Sequence, residues 1–302
     1  MKRVVLAGAT GLLGRHLADA LVARGDDVVL LSRGSRTVAG VTTTPWDPVE
    51  GPIPAHAVDG ANAIVNLAGE PIAGGRWNAS RRKRILESRE TTTRRCVEAL
   101  GSHGPQVLVS ASAIGYYGST DTPVDESAPP GRDFLAQICV RWEDAARRGE
   151  DKARVVRVRT GIVLARDGGA YPRLALVARL GAAGPLGSGR QWISWIHIDD
   201  EVAVLLACID DGALHGPVNA VTPSPIRQRE FARVLAGLLH RPSVLPAPAP
   251  ALRLVLGEMA DLLLVGQHVV PATLAARGMP WTYPTLELAL TDLLAQPRSV
   301  AA

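Results

Sequence analysis

Short apolar runs recur at residues 4–7, 28–31, 63–66, 107–110 and 155–158, each separated from the next by a longer segment of helical periodicity. Alternation of that kind predicts parallel strands joined by crossover helices. The first crossover is the clearest: Leu13, Leu17, Ala20 and Leu21 mark one face of a helix over residues 13–24, and Gly25 stands where a C-terminal cap belongs. Short strands buried on both faces give an α/β fold, a Rossmann-type doubly wound parallel sheet. After about residue 164 the pattern changes. Gly and Pro punctuate residues 168–189, a strand-like run at 193–198 meets Asp199-Asp200 and a helix through Ile209, and a Pro-rich connection at 242–250 precedes a last helical region ending near Leu294. The expectation is a sheet domain over 1–164 and a smaller C-terminal lobe over 165–302, with a strand or two returning to the main sheet. The apolar stretch 251–266 contains Arg253, Glu258 and Asp261, so it predicts a packed helix and not a membrane span.

The first strand runs directly into Gly8-Ala-Thr-Gly11-Leu-Leu-Gly14 and then a helix. A pyrophosphate sits on a helix N-terminus only where the turn is tight and backbone approaches closely, and both needs call for glycine. Strand, glycine turn, helix and second strand in that order predict dinucleotide binding. The second strand ends at Ser32-Arg33, where an acid would bind a ribose hydroxyl and a cation accommodates a 2′-phosphate. Arg33 therefore points to NADP(H), with Ser32 adding a hydroxyl and Arg36 able to share the role. The expected contacts are Gly8, Thr10, Gly11, Leu12, Leu13 and Gly14 at the turn, Ser32 and Arg33 beyond it, and Asp47 beside the adenine. Leu67, Ala68, Gly69 and Glu70 at the end of the fourth strand, Arg89 on the following helix, Ser110, Thr160 and Val163 complete the set. For Glu70 a helix-capping role stands beside ribose binding, and for Arg89 a surface salt bridge stands beside cofactor contact.

These segments, with Ser110-Ala-Ser-Ala113 and Gly187-Ser-Gly-Arg-Gln-Trp-Ile-Ser-Trp-Ile-His-Ile-Asp-Asp200, resemble the extended short-chain dehydrogenase/reductase superfamily, the NAD(P)-dependent epimerases and dehydratases. More narrowly, Asn66-Leu-Ala-Gly-Glu-Pro71, Tyr116-Tyr117-Gly118, Arg159-Thr-Gly-Ile-Val163 and Trp281-Thr-Tyr-Pro284 are similar to a subgroup of "epimerase family" proteins with an extra C-terminal segment. The resemblance implies a Tyr that moves a proton, a Lys four residues on that assists it, and a Ser that bonds the reacting oxygen. Ser112 fits the Ser. Aligned on Glu143, the helix carries Leu135 and Cys139 at the Tyr and Lys positions, and a shift of one brings only Phe134. Ile162 and Ile193 stand where sugar-nucleotide members carry an Asn and an Arg, which removes the charge-assisted grip on a diphosphate, although Arg190 lies close by. The expected function is an NADP(H)-dependent oxidoreductase on a small, rather apolar carbonyl or alcohol, with Ser112 polarising the oxygen and Tyr116 or Tyr117 as proton donor. A non-catalytic NADP(H)-binding or redox-sensing protein is the rival, and a sugar-nucleotide epimerase ranks last.

Composition narrows this picture only at its edges. A net charge of +4 and a pI near 9.2 are mildly basic, and the one basic run, Arg81-Arg-Lys-Arg84, reads as a solvated helix face, so no nucleic-acid partner is expected. Cys96, Cys139 and Cys208 are far apart and have no metal-ligand spacing, so they are expected reduced and buried, with no metal. No signal peptide or membrane span is read, and a cytoplasmic location follows. A homodimer is what the resemblance implies. His197 stands between a proton-shuttle and a structural role, and of Trp192 and Trp195 one is expected in the pocket and the other inside.

Overall fold

The computed structural model describes residues 1–101 and 104–295, so residues 296–302 of the expected C-terminal lobe lie outside the described residues. The central sheet contains β1 (Arg3–Ala7), β2 (Asp27–Ser32), β3 (Thr44–Pro45), β4 (Ala63–Asn66), β5 (Val107–Ala113), β6 (Arg154–Thr160) and β7 (Gly216–Ala220). Their spatial order is 3-2-1-4-5-6-7, and every pairing within this sheet is parallel. The order reverses between β1 and β4, and a doubly wound sheet opens its binding crevice at that point.

Strand alternation assigns the side chains to two cores. Val4 and Leu6 of β1 pack with Leu17 and Leu21 of α1 (Leu12–Ala23), while Val5 lies in the opposite core with Cys96 and Val97 of α2 (Ala79–Glu98). α3 (Phe134–Arg147) lies beside α2, and Asp133 caps it by accepting from the Ala136 amide at 2.9 Å.

A separate apolar cluster gathers the later elements. α4 (Tyr171–Arg179), α6 (Gln228–Leu238) and α8 (Leu286–Leu294) bring Ala175, Phe231, Leu235 and Leu290 onto Leu164 and Trp195. α5 (Ile198–Asp210) instead packs against the main sheet with Leu205 and Cys208, and the chain after it returns as β7. The run expected as one strand at 193–198 divides in two: Trp192–Ile193 pairs with Ile226–Arg227, and Trp195–His197 pairs with Ile162–Ala165.

The apolar stretch 251–266 departs from the packed helix expected of it. α7 (Ala249–Leu256) has no buried residue, Leu254 and Val255 are 80% and 66% exposed, and the helix ends at Gly257 with φ of +63°. Polar ties hold this segment in place. Arg76 donates to the carbonyls of Leu254 and Val255, each at 2.7 Å, and Arg82 pairs with Glu258. Among the described residues no helix is long and apolar enough to cross a membrane.

Candidate functional site

The glycine turn closes as its spacing requires. Gly8 has φ of +87°, and a Cβ there would lie 2.7 Å from the Ala68 nitrogen; one at Gly14 would collide with the Gly8 carbonyl. β1, α1 and the end of β4 therefore meet with only backbone between them, which brings Leu67 and Ala68 to the turn. Gly11 caps α1 without a side-chain bond, and no acid occupies the first turn, so the amides there face outward with nothing to repel an anion. Leu12 and Val163 also converge, because Gly169 lies against both: a Cβ on it would stand 3.2 Å from the Val163 carbonyl oxygen and 3.5 Å from Leu12.

Arg33 is exposed at the end of β2, and the Ser32 hydroxyl accepts a long 3.5 Å contact from the Gly34 amide. Asn66 is fully buried and fixes the loop after β4 by accepting from the Ala68 amide at 3.2 Å and donating to Thr93 at 2.9 Å. Gly69 lies on Arg89, with a Cβ there reaching 3.1 Å from the guanidinium carbon. Arg89 is buried, stacks 4.8 Å over the Trp142 ring, and donates to the carbonyls of Glu70 and Ile85 at 3.0 Å each. Its Nε has no partner, and burial lowers its pKa. A surface salt bridge is thus the wrong description of Arg89. A glycine turn with no acid in the first turn of its helix, an exposed cation at the end of β2 and a buried guanidinium with an orphaned donor fit a dinucleotide.

Other expected contacts have internal commitments. The Asp47 carboxylate accepts from the Val49 amide at 2.8 Å, and the Glu70 carboxylate lies 3.6 Å from Arg81. The Ser110 hydroxyl reaches only the Ala111 carbonyl, at 3.4 Å. Thr160 donates to Glu201 at 2.8 Å; Glu201 is fully buried, and burial pushes its carboxyl up to about 8.

Around Ser112 the structure holds a charged network inside the core. The Ser112 hydroxyl donates to Glu143 at 2.7 Å, and Arg159 grips the same carboxylate through Nε at 2.8 Å and a terminal nitrogen at 2.9 Å. The other terminal nitrogen of Arg159 donates to the Tyr117 hydroxyl at 2.8 Å, which donates in turn to Asn219 at 2.7 Å. Burial disfavours the Arg159 charge, but the bonds to Glu143 outweigh it and raise the pKa. Burial pushes the Tyr117 phenol up to about 12 in spite of Arg159. Ser112 has one proton and has given it to Glu143, so it faces any further partner as an acceptor. That direction is opposite to the one a carbonyl polariser needs. Tyr117 has likewise spent its proton on Asn219. Tyr116 lies with its ring 3.5 Å from the Arg159 guanidinium. Of the two expected proton donors, Tyr117 is held inside the network.

The Tyr and Lys positions are apolar in space as in sequence. A Cβ on Gly115 would touch Leu135 at 3.4 Å and the Cys139 sulfur at 3.8 Å, and burial followed by Glu143 pushes the Cys139 thiol up to about 12. Leu135 and Phe134 face a cavity of about 400 Å³ whose other walls are Trp77, Arg82 and the segment 258–267. Phe134 meets Trp77 edge-on at 5.3 Å and lies beneath Arg82 at 4.5 Å. So half of the basic run expected to be a solvated face, Arg81 and Arg82, turns inward to Pro71 and Glu258. The pocket was hidden in the sequence because its walls come from three distant segments. Phe134 beside Leu135 and Arg82 in the basic run were the visible signals.

His197 is structural. Its Nδ1 accepts from the Asp199 amide at 3.2 Å, its Nε2 lies 3.4 Å from Asp292, its ring lies on Tyr283 at 3.8 Å, and burial lowers its pKa. Trp195 is fully buried, while Trp192 stacks on His268 at 3.9 Å at the lobe surface. Cys96, Cys139 and Cys208 are all buried and unbridged, and no metal-ligand cluster occurs among the described residues.

Residues 4–220 match the NAD dependent epimerase/dehydratase family, and residues 247–293 match a domain of unknown function. The chain belongs to that epimerase/dehydratase family. It is 37% identical to the epimerase family protein SDR39U1 of Homo sapiens, over 97% of this chain and 100% of the relative. The chloroplastic SDR39U1 homolog of Arabidopsis thaliana is also 37% identical, over 96% and 86%. Among solved structures, human SDR39U1 (isoform2) with NADPH superimposes with a TM-score of 0.88 at 36% identity, covering 96% of this chain and 98% of that one. A nucleoside-diphosphate sugar epimerase of Corynebacterium glutamicum gives 0.79 at 31% identity, over 97% and 58%. The seven-stranded Rossmann sheet is the fold of this family.

Proposed function

We propose that this chain is an NADP(H)-dependent oxidoreductase for a small neutral carbonyl or alcohol compound. The observation that carries the reading is the cavity at Phe134 and Leu135, because Leu135 stands at the position where the resemblance expects the proton-moving Tyr. The human relative crystallised with NADPH and the exposed Arg33 both support the phosphorylated cofactor. Bound NADPH would supply a hydride. The chain's own residues hold it: the turn at Gly8, Gly11 and Gly14 for the pyrophosphate, Arg33 for the 2′-phosphate, and Arg89 with its unpartnered Nε for a ribose or phosphate oxygen. Glu143 and Arg159 tie Ser112, Tyr116 and Tyr117 into one rigid network. Three buried, unbridged cysteines support a reducing compartment, the cytoplasm. The test is NADPH oxidation across a carbonyl panel, where turnover with at least one acceptor is expected.

The bond from Ser112 to Glu143 favours a second reading, an NADP(H)-binding protein without turnover. It expects NADPH to raise the melting temperature by mass action while every acceptor in the panel stays inert.

A further inference from the structure

Resting on the oxidoreductase reading, we infer that the acceptor is a neutral, planar, conjugated carbonyl compound, an α,β-unsaturated ketone or quinone, seated against Trp77, Phe134 and Leu135. Three observations lead to this class. Part of the wall is aromatic and apolar: Trp77 and Phe134 meet edge-on, and Leu135 and Val265 join them in the lining. The lining is acidic on balance. Arg82, its one cation among the described residues, pairs with Glu258, while Asp261 lies 3.5 Å from Arg253 and Asp133 caps α3, so a diphosphate would meet carboxylates and no free cation. The polar groups left for a carbonyl oxygen are amides: Gln267, and Gln137, which uses one N–H on the Arg132 carbonyl and keeps a second.

The third observation is that no acid in the lining is free. No Tyr, Lys, His or Cys lines the cavity among the described residues, its carboxylates Asp133, Glu258 and Asp261 are engaged by the Ala136 amide, Arg82 and Arg253, and Leu135 occupies the position from which a proton would come. Reducing an isolated ketone leaves an alkoxide about as basic as hydroxide, which calls for a positioned acid. A conjugated acceptor leaves a delocalised enolate or phenolate, whose conjugate acid is near the phenol value of about 10. Amide donors and water suffice for that anion. The β-carbon of the enone receives the hydride, its C=C pair moves toward the carbonyl oxygen, and the enolate takes one proton from water. Enone, NADPH and one proton become saturated ketone and NADP⁺, so two electrons and two hydrogens are accounted for.

Benzylideneacetone and its saturated counterpart benzylacetone make a matched pair of nearly equal size. NADPH oxidation is expected about tenfold or more faster with the enone. Calorimetric titration of the NADP⁺-loaded protein, where no turnover is possible, is expected to show both compounds binding and both losing affinity in Trp77→Ala. Val265→Trp, which fills the cavity from another segment of the chain, gives the same loss if Trp77→Ala perturbs its loop. Equal reduction of the two compounds overturns the conjugated class and leaves the oxidoreductase reading standing. Enone binding untouched by both substitutions overturns the pocket assignment. Failure of every carbonyl acceptor to oxidise NADPH overturns the oxidoreductase reading itself.

Discussion

Arg159 and Glu143 form a two-pronged ion pair at 2.8 and 2.9 Å, with both side chains almost wholly removed from solvent. Such a pair contributes little net stability against an apolar alternative, but removing one partner strands the other charge. Glu143→Gln is expected to lower unfolding free energy by about 3 kcal/mol or more, measured by urea denaturation. Arg159→Met with Glu143→Gln should recover part of that loss.

Tyr117 tests which residues act as framework. Tyr117→Phe removes a hydroxyl that accepts from Arg159 and donates to Asn219, and an expected cost of about 1–3 kcal/mol follows from the stranded partners. Because the phenol has no free proton, NADPH oxidation by the folded variant should stay within a few-fold of wild type. A large loss of turnover at unchanged stability would return Tyr117 to the role of proton donor.

Glu201 gives a pH dependence with a definite sign. Its carboxyl is raised by burial from 4.5 to about 8, so between those values the folded chain holds a proton that the unfolded chain has released. Stability from this group is full below pH 4.5 and falls as pH rises toward about 8. Glu201→Gln should remove that slope and gain most at the alkaline end, as urea titrations across the window will read.

Arg33 and Gly14 separate cofactor choice from cofactor binding. Arg33→Ala should weaken NADPH by about tenfold and leave NADH nearly unchanged, in keeping with the loss of one charge-assisted contact. Gly14→Ala places a methyl against the Gly8 carbonyl and should weaken both cofactors together. Fluorescence titration of each variant with each nucleotide distinguishes the two patterns.

The central strands were legible because a parallel strand buried on both faces must be apolar along its length, as Val4, Val5 and Leu6 are. The glycine turn was legible because Gly8 and Gly14 meet backbone that tolerates no Cβ. The network at Ser112 was not. Glu143 and Arg159 are 16 positions apart, on a helix and a strand, and charged residues of that kind are ordinarily read as solvent-facing. α7 escaped for the opposite reason: Leu254 and Val255 look like core residues and are exposed, because the helix is held through its carbonyls by Arg76.

β7 is supplied by residues 216–220, beyond the expected division near residue 164, yet it covers the flank of β6 from Val156 to Thr160. Arg154 of β6 adds three bonds to the carbonyls of Cys208, Ile209 and Leu214, and Asn219 holds Tyr117. The nucleotide-binding half therefore borrows its outermost plank from the later half. Halves produced as separate polypeptides should remain insoluble alone and regain solubility when co-expressed, and the intact chain should melt in one calorimetric peak.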